Sequence, residues 1–221
     1  MTLELIPALL ANSEEHALLQ ITKLGGYSGW MQIDILDGTL NRFSNFADAD
    51  ALSLLLPHNP IELHLMVSDP LTHIKEWQRV LTPSLPKRAI WHIEAMVDHG
   101  ALIDYCRTNN WQCGLAIGPN TKLEALRPYF DRIDEVLVLG VHPGQSGQQL
   151  IPKTLDTVRA LKQLPDRNFT IGFDGGINEQ NILDLKTAGV ERFCLASAIF
   201  KAVSPTNTLD HLSQKLGIQQ T

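Results

Sequence analysis

The sequence has few cysteines, no long apolar run and no basic start. Its three cysteines, Cys106, Cys113 and Cys194, show no C-x-x-C spacing, so we expect reduced thiols in or near the core. No stretch approaches the roughly 18 apolar residues of a membrane span. Residues 1–7 lack the basic segment and long apolar run of a secretory signal. We therefore expect a cytoplasmic protein with no membrane partner.

The chain also lacks a basic patch. Its 221 residues include 18 Lys and Arg against 24 Asp and Glu, a net charge of -6. Nucleic-acid-binding proteins favour a basic patch or stripe, so we expect no nucleic-acid partner. A phosphorylated ligand would need a local anion site instead. Hydrophobic residues make up 44% of the chain, enough for a substantial core.

Short apolar runs alternate with amphipathic segments eight times along the chain. The runs are nearly continuous in Ile, Val, Leu and Phe, which is typical of strands covered on both faces. They predict strands over residues 3–9, 29–36, 61–67, 89–94, 113–118, 135–141, 169–174 and 193–196. Helical spacing of apolar residues predicts helices opening at Ser13 and Pro70, and over residues 123–130, 155–164, 182–188 and 209–216.

Eight alternating strands and helices form either a closed barrel or an open doubly wound sheet. The open sheet favours G-x-G-x-x-G after its first strand, but here that strand is followed by Ala11-Asn12-Ser13. We find no linker or low-complexity tract. The sequence therefore predicts a single (β/α)8 TIM barrel domain with a parallel eight-stranded core, spanning residues 1–221.

Chemistry in such a barrel lies at the carboxyl ends of the strands. Side chains alternate faces along a strand, so Gln32 and Asp34 share one face, and Asp34 is costly in an apolar strand unless it is paired or metal-bound. His64 and Asp174 lie at the ends of other strands. Together with Asp34 they could form a divalent metal site or an acid/base pair, and the sequence leaves both interpretations open. Each residue alone also has a purely structural explanation. An Asp at a strand end is often a turn residue, and an inward histidine can be a core residue whose nitrogens are hydrogen-bonded.

The remaining histidines are expected to have other roles. His92, next to Glu94, is expected to be structural or to support the site. His142 precedes Pro143 in a glycine-containing loop and either lines a ligand site or forms a turn. We expect the others on the surface: His16, His58, His73, His99 and His211.

A separate signal points to phosphate. Gly175-Gly176 follows the seventh strand and Ala196-Ser197 the eighth, where many barrels bind phosphate through backbone N–H groups. Glycine lets the backbone approach an anion closely; the alternative is a sharp turn and nothing more. A third segment with Gly144, Ser146 and Gly147 is expected to form a loop that folds over the same group.

Taken in order, six segments resemble the ribulose-phosphate 3-epimerase family. They are WMQIDILDG (30–38), ELHLM (62–66), WHIEA (91–95), VLVLGVHPG (136–144), FDGGI (173–177) and ASAIF (196–200). The resemblance covers almost the whole chain, from Ile6 to Phe200. Each motif alone is weak, but the ordered set is specific.

This resemblance implies a (β/α)8 isomerase of pentose phosphate metabolism that moves a proton at C3 of ribulose 5-phosphate. It implies a divalent metal (zinc, iron or manganese) held by Asp34, His64 and Asp174, with the fourth ligand position falling on Gln32. Asp34 and Asp174 become the acid/base pair, and the metal stabilises an enediolate. It also implies a homo-oligomer, and substrate contacts from Met66, His142, Gly144, Gly147, Gly175, Gly176, Ala196 and Ser197.

Several positions depart from the family pattern. Gln32 replaces a histidine and is a poorer zinc ligand, and Ala8 replaces a serine near the substrate. The family's loop motif after Gly38 is replaced by residues 39–43. Milder changes fall on Leu36, Leu139, His142, Ser146 and Ala196. The changes cluster around the metal and the sugar carbons, whereas the phosphate end and both aspartates are better kept.

Three functions remain open at this point. The first is a C3 epimerase of a ketose phosphate, for ribulose 5-phosphate or a different sugar phosphate. The second is a non-catalytic phosphosugar-binding protein that has lost the metal; retention of two buried carboxylates opposes it. The third is a different reaction on the same phosphate-binding scaffold, which the fold alone does not exclude.

Overall fold

The computed structural model describes residues 3–144 and 146–218. Eight parallel strands pair in chain order, and the last pairs with the first to close a barrel. The strands are β1 Glu4–Leu9, β2 Met31–Ile35, β3 Ile61–Leu65, β4 Lys87–His92, β5 Gln112–Ile117, β6 Glu135–Leu139, β7 Thr170–Asp174 and β8 Arg192–Leu195. The predicted (β/α)8 barrel is confirmed, with strand bounds shifted by up to a few residues.

Helices cover the outside of the barrel. They are α1 Glu14–Thr22, α2 Ala49–Leu55, α3 Pro70–Val80, α4 His99–Thr108, α5 Thr154–Lys162, α6 Ile182–Ala188, α7 Ser197–Phe200 and α8 Pro205–Leu216. Leu123–Arg132, between β5 and β6, is a 3-10 helix with Pro128 inside it. Sequence periodicity missed α2, α4 and α7. Helix α4 has a glycine, Gly100, in its first turn, and its start is fixed by Asp98, whose side chain accepts a hydrogen bond from the Ala101 N–H.

Strand alternation divides the buried residues into two cores. Residues that point outward pack against the helices, with Trp77 and Trp91 among the largest buried side chains. Inside the barrel lies a smaller apolar layer made of Ile6, Ala8, Ile90, Ala116, Leu137, Leu139 and Cys194. Along β4, Arg88, Ile90 and His92 share this inward face. On β4, β6 and β8 the apolar layer therefore separates charged residues near the amino ends from the residues at the carboxyl ends, whereas on β3 Glu62 and His64 are consecutive inward residues.

An ion-pair layer fills the amino-terminal end of the barrel. Arg88 pairs with Glu62, and Arg192 pairs with Glu135 at 2.5 Å and Glu4 at 2.8 Å. The Arg88 guanidinium also lies 4.1 Å from the centre of the Trp30 ring. Three carboxylates thus face two guanidinium groups. Burial, and then the charge of Glu62, raise the pKa of Glu135 to about 7.

This pKa predicts a pH dependence of stability. Because the folded pKa of Glu135 lies above the unfolded value of about 4.3, the folded state retains a proton that the unfolded state releases. The contribution of Glu135 to stability therefore falls as pH rises from about 4 to about 7, by on the order of 3 kcal/mol. Urea unfolding at pH 5 and pH 8 should show that Glu135→Gln removes most of this loss.

The exposed Glu124 offers a matched control, because it forms no ion pair among the described residues. Glu124→Gln removes the same formal charge and should keep the pH dependence of the parent protein. An unchanged pH dependence in Glu135→Gln would show that Glu135 titrates at an ordinary pKa in the folded protein.

Candidate active site

The carboxyl ends of three strands place Asp34, His64 and Asp174 in the barrel mouth. All three line one cavity. His64 is buried and Asp34 nearly so, because each lies on an inward position of a strand whose neighbouring residues belong to the outer core. One nitrogen and two oxygens from these residues lie within 4.8 Å of one another. The structure thus brings together three of the residues that the sequence singled out.

Both carboxylates bind the same two side chains. His64 Nδ1 lies 3.0 Å from Asp34 Oδ1 and 3.0 Å from Asp174 Oδ2. Gln32 Nε2 donates to the same two oxygens, at 2.8 and 2.9 Å. Gln32 therefore lies with the predicted ligands, as strand alternation requires, but it faces them with its N–H2 group.

Burial and hydrogen bonding shift the protonation of this cluster. Burial alone would lower the pKa of His64, but its bonds to Asp174 and Asp34 outweigh burial and raise the pKa to about 10. Burial, and then the negative charge of Asp174, raise the pKa of Asp34. A carboxyl group with a raised pKa takes up and releases a proton closer to neutral pH, as acid/base work requires.

Two further residues set the orientation of His64. Glu94 accepts hydrogen bonds from Thr121 Oγ1 and the Gly118 N–H, and His92 Nδ1 lies 3.1 Å from its other oxygen. Burial lowers the pKa of His92, so its ring is neutral: Nδ1 donates to Glu94, and Nε2 accepts. His64 Nε2, at 3.1 Å, must then donate to His92. The other nitrogen of His64, Nδ1, is left to face the carboxylates.

This cluster fits a divalent cation. One imidazole nitrogen and two carboxylate oxygens are ligands that zinc, iron and manganese accept, and the support of His64 by His92 and Glu94 is typical of metal-binding histidines. Gln32 Oε1 is buried and has no hydrogen-bond partner in the part of the chain that the structure describes. A half-turn of the amide would offer this oxygen as a fourth ligand, whereas the orientation observed offers none.

Asn45, which sequence reasoning missed, holds the end of β2 in place. Asn45 donates to the Asp34 carbonyl and accepts from the Leu36 N–H, both at 2.8 Å. Phe43 lies over Gly144, where an added Cβ would fall 2.0 Å from the phenyl ring. The loops after β2 and β6 therefore meet over the mouth. No pattern in the sequence pointed to either contact, because both depend on loops brought together by barrel closure.

The predicted substrate contacts line the same cavity as the two aspartates: Met66, His142, Gly144, Gly147, Gly175, Gly176, Ala196 and Ser197. Gly175 and Gly176 have φ angles of +95° and +73°, a region that favours glycine. A Cβ on Gly176 would also lie 2.7 Å from the Leu150 backbone. Packing alone thus requires glycine at this turn, and phosphate binding there stays a prediction.

The departures from the family pattern occupy different places. Leu36 and Leu139 line the cavity. Ala8 is fully buried in the apolar layer inside the barrel. Thr39, in the divergent loop, accepts the Ser68 N–H at 2.8 Å. The expectation of a surface position is wrong for His99, which is buried and accepts a hydrogen bond from Trp91 Nε1.

A family model and curated relatives match nearly the whole chain. The model described as "Ribulose-phosphate 3 epimerase family" matches residues 4–200. A ribulose-phosphate 3-epimerase of Treponema pallidum is 32% identical over 204 residues, covering 89% of this chain and 90% of the relative. One of Mycobacterium bovis is 26% identical over 216 residues, covering 96% of this chain and 92% of the relative.

Solved structures with the same architecture are more distant in sequence. A 3-hexulose-6-phosphate synthase from Salmonella typhimurium superposes with a TM-score of 0.72 at 16% identity, covering 98% of this chain and all (100%) of that one. At this identity the likeness concerns the fold alone. Within the described residues, no helix combines the length and apolar character needed to cross a membrane.

Proposed function

Because the chain belongs to the ribulose-phosphate 3-epimerase family, we propose that it epimerises a ketose phosphate at C3, with ribulose 5-phosphate as the first substrate to test. One observation carries this proposal: Asp34 and Asp174, from β2 and β7, are held by the same imidazole and the same amide at the floor of one cavity. Two carboxylates so placed can serve one carbon atom.

The two aspartates would act as proton carriers. The C3 proton lies next to a ketone and is weakly acidic, so its removal needs a base within hydrogen-bond reach. One carboxylate would take this proton and the other would return a proton to the opposite face, which inverts C3. Burial raises the pKa of Asp34 above that of an ordinary carboxyl group, which brings its proton exchange closer to neutral pH.

The surrounding residues would hold the charge and the substrate. Asp34, His64 and Asp174 would hold a divalent cation, which would supply positive charge to offset the negative charge that develops when the C3 proton leaves. His92 and Glu94 would keep the His64 Nδ1 directed at that position. The backbone N–H groups of the loops after β7 and β8 would bind the phosphate, so that C3 is placed against the carboxylates.

Proton exchange in heavy water tests this function. Incubated with ribulose 5-phosphate, the protein should introduce deuterium at C3 and form xylulose 5-phosphate, which nuclear magnetic resonance detects directly. Unphosphorylated ribulose should bind much more weakly, because the phosphate subsite would be left empty. Tight binding of ribulose 5-phosphate without exchange would overturn the epimerase assignment.

One observation favours a second candidate, a non-catalytic sugar-phosphate-binding protein. The Gln32 amide donates to both carboxylates and so satisfies them without any cation. In that case ribulose 5-phosphate should bind equally well with and without a divalent metal, and no deuterium should enter C3. Metal-dependent exchange would exclude this candidate.

A further inference from the structure

A second cavity adjoins the main one on the side of β1 and β8. We call it the annex. Its outer wall carries His16, Gln20 and Lys23 from α1 and Lys201 from the end of α7. Ser197 lines both cavities, as do Leu10, Leu36, Gly144, Ser146 and Ala196. The annex therefore continues directly from the loops proposed to bind phosphate.

The annex is electropositive within an acidic protein. Of the described residues that line it, none is Asp or Glu, whereas Lys23 and Lys201 both border it. Neither lysine forms an ion pair among residues 3–144 and 146–218. By contrast, the chain as a whole carries a net charge of -6. A concave surface lined by positive charges raises the local concentration of anions.

Lys201 lies at the border between the two cavities. A Cβ added to Gly147 would fall 3.1 Å from Lys201 Nζ and 3.9 Å from Ser197 Oγ. Gly147 and Ser197 both line the main cavity. The ammonium group is therefore close to the proposed phosphate position, while Lys23 borders the annex alone.

Gln20 adds a buried hydrogen-bond donor to the same wall. The Asn12 N–H donates to His16 Nδ1 at 3.3 Å, so the ring hydrogen is on Nε2. That nitrogen lies 3.0 Å from the Gln20 amide, and only the amide oxygen can accept from it. As placed, the Gln20 N–H2 group faces His16, and Gln20 Oε1 is buried without a partner among the described residues. A half-turn of the amide satisfies the bond to His16 and puts the N–H2 group in the position without a partner.

From these three features we propose that the annex binds a second oxyanion beside the phosphate of the substrate. Its ligand has the chemistry of a phosphate group. Such a group arrives either as a separate inorganic anion or as the continuation of the ligand beyond its first phosphorus, as in a diphosphate. The position of the annex relative to the sugar rests on the proposed function, but the charge and donor arguments do not.

Calorimetric titration of inorganic phosphate at low ionic strength tests this site. With the main cavity saturated by ribulose 5-phosphate, phosphate should still bind to the parent protein. Lys23→Met should weaken this binding by about fivefold, the effect of one exposed ion pair, and leave ribulose 5-phosphate affinity unchanged. Lys122→Met, which removes an exposed lysine that borders neither cavity, is the matched control.

Pyrophosphate distinguishes the two sources of the anion. If one ligand spans both cavities, pyrophosphate should displace ribulose 5-phosphate and lose affinity in Lys23→Met. If the anion is separate, phosphate and ribulose 5-phosphate should bind together. If Lys23→Met binds phosphate as tightly as Lys122→Met does, and the same holds for pyrophosphate, the proposal that the annex binds an oxyanion is overturned. Failure of ribulose 5-phosphate to bind would instead count against the proposed function. The annex could still be tested in that case, because phosphate can be titrated into both variants without the sugar phosphate.

Discussion

Replacing Asp34 or Asp174 by asparagine is expected to slow C3 proton exchange in ribulose 5-phosphate by roughly 10²- to 10⁴-fold, the contribution of a positioned acid or base. Asparagine keeps the shape of the side chain and an oxygen that accepts from Gln32 and His64, but it carries no proton to exchange. The rate of deuterium incorporation at C3, divided by the enzyme concentration, measures the exchange activity of each variant.

The same experiment needs a check on the fold. Asp184→Asn makes the same change on the exposed surface of α6, and it should exchange deuterium at the parent rate. Circular dichroism should show all three variants folded. Exchange at the parent rate in Asp34→Asn or in Asp174→Asn would remove that residue from the mechanism.

Zinc affinity should rise by about 100-fold in Gln32→His. Mutating a residue that only hydrogen-bonds to a metal ligand changes metal affinity by about 10- to 100-fold, and a direct ligand should have at least as large an effect. Imidazole is a better zinc ligand than an amide, and Gln32 already lies within hydrogen-bond distance of both carboxylates. The parent protein should hold zinc weakly. Competition with a chromophoric chelator measures both affinities, and Gln163→His, at the exposed end of α5, is the control.

The activity of Gln32→His separates the functional alternatives. Tighter zinc with faster exchange would identify an enzyme limited at one ligand position. Tighter zinc without exchange would direct attention to Ala8 and residues 39–43, and to a different substrate or a binding role. An affinity no higher than that of Gln163→His would show that an imidazole at position 32 does not reach the cation.

Local patterns in the sequence were sufficient to predict the barrel and the position of its central residues. Period-two alternation within apolar strands placed Gln32, Asp34 and His64 on the inner face, because that alternation is a property of each strand alone. Helices α2 and α4 were missed, since the first is short and the second has a glycine in its opening turn. Their formation depends on packing against the barrel.

Contacts between distant segments were beyond the reach of those patterns. His92 supports His64 because β3 and β4 are neighbours in the barrel, and Asn45 binds the end of β2 through a loop with no regular structure. His99 is buried because α4 folds back over Trp91. Each contact requires the closed barrel, so the residue types could be read from the sequence but their partners could not.

The apolar layer inside the barrel has a consequence for how this protein can evolve. Ile90 lies between Arg88 and His92 on one strand, and Leu137 follows Glu135 on another. On these two strands an apolar side chain thus separates the ion pairs near the amino end from the residues at the carboxyl end. A substitution at position 92 changes the carboxyl end of β4 and leaves the ion pair of Arg88 and Glu62 in place, whereas position 32 pairs directly with Glu62 in the sheet. Such a scaffold can lose or change an activity by single substitutions while it continues to fold. A conserved fold is therefore a poor guide to whether a related protein keeps the same reaction.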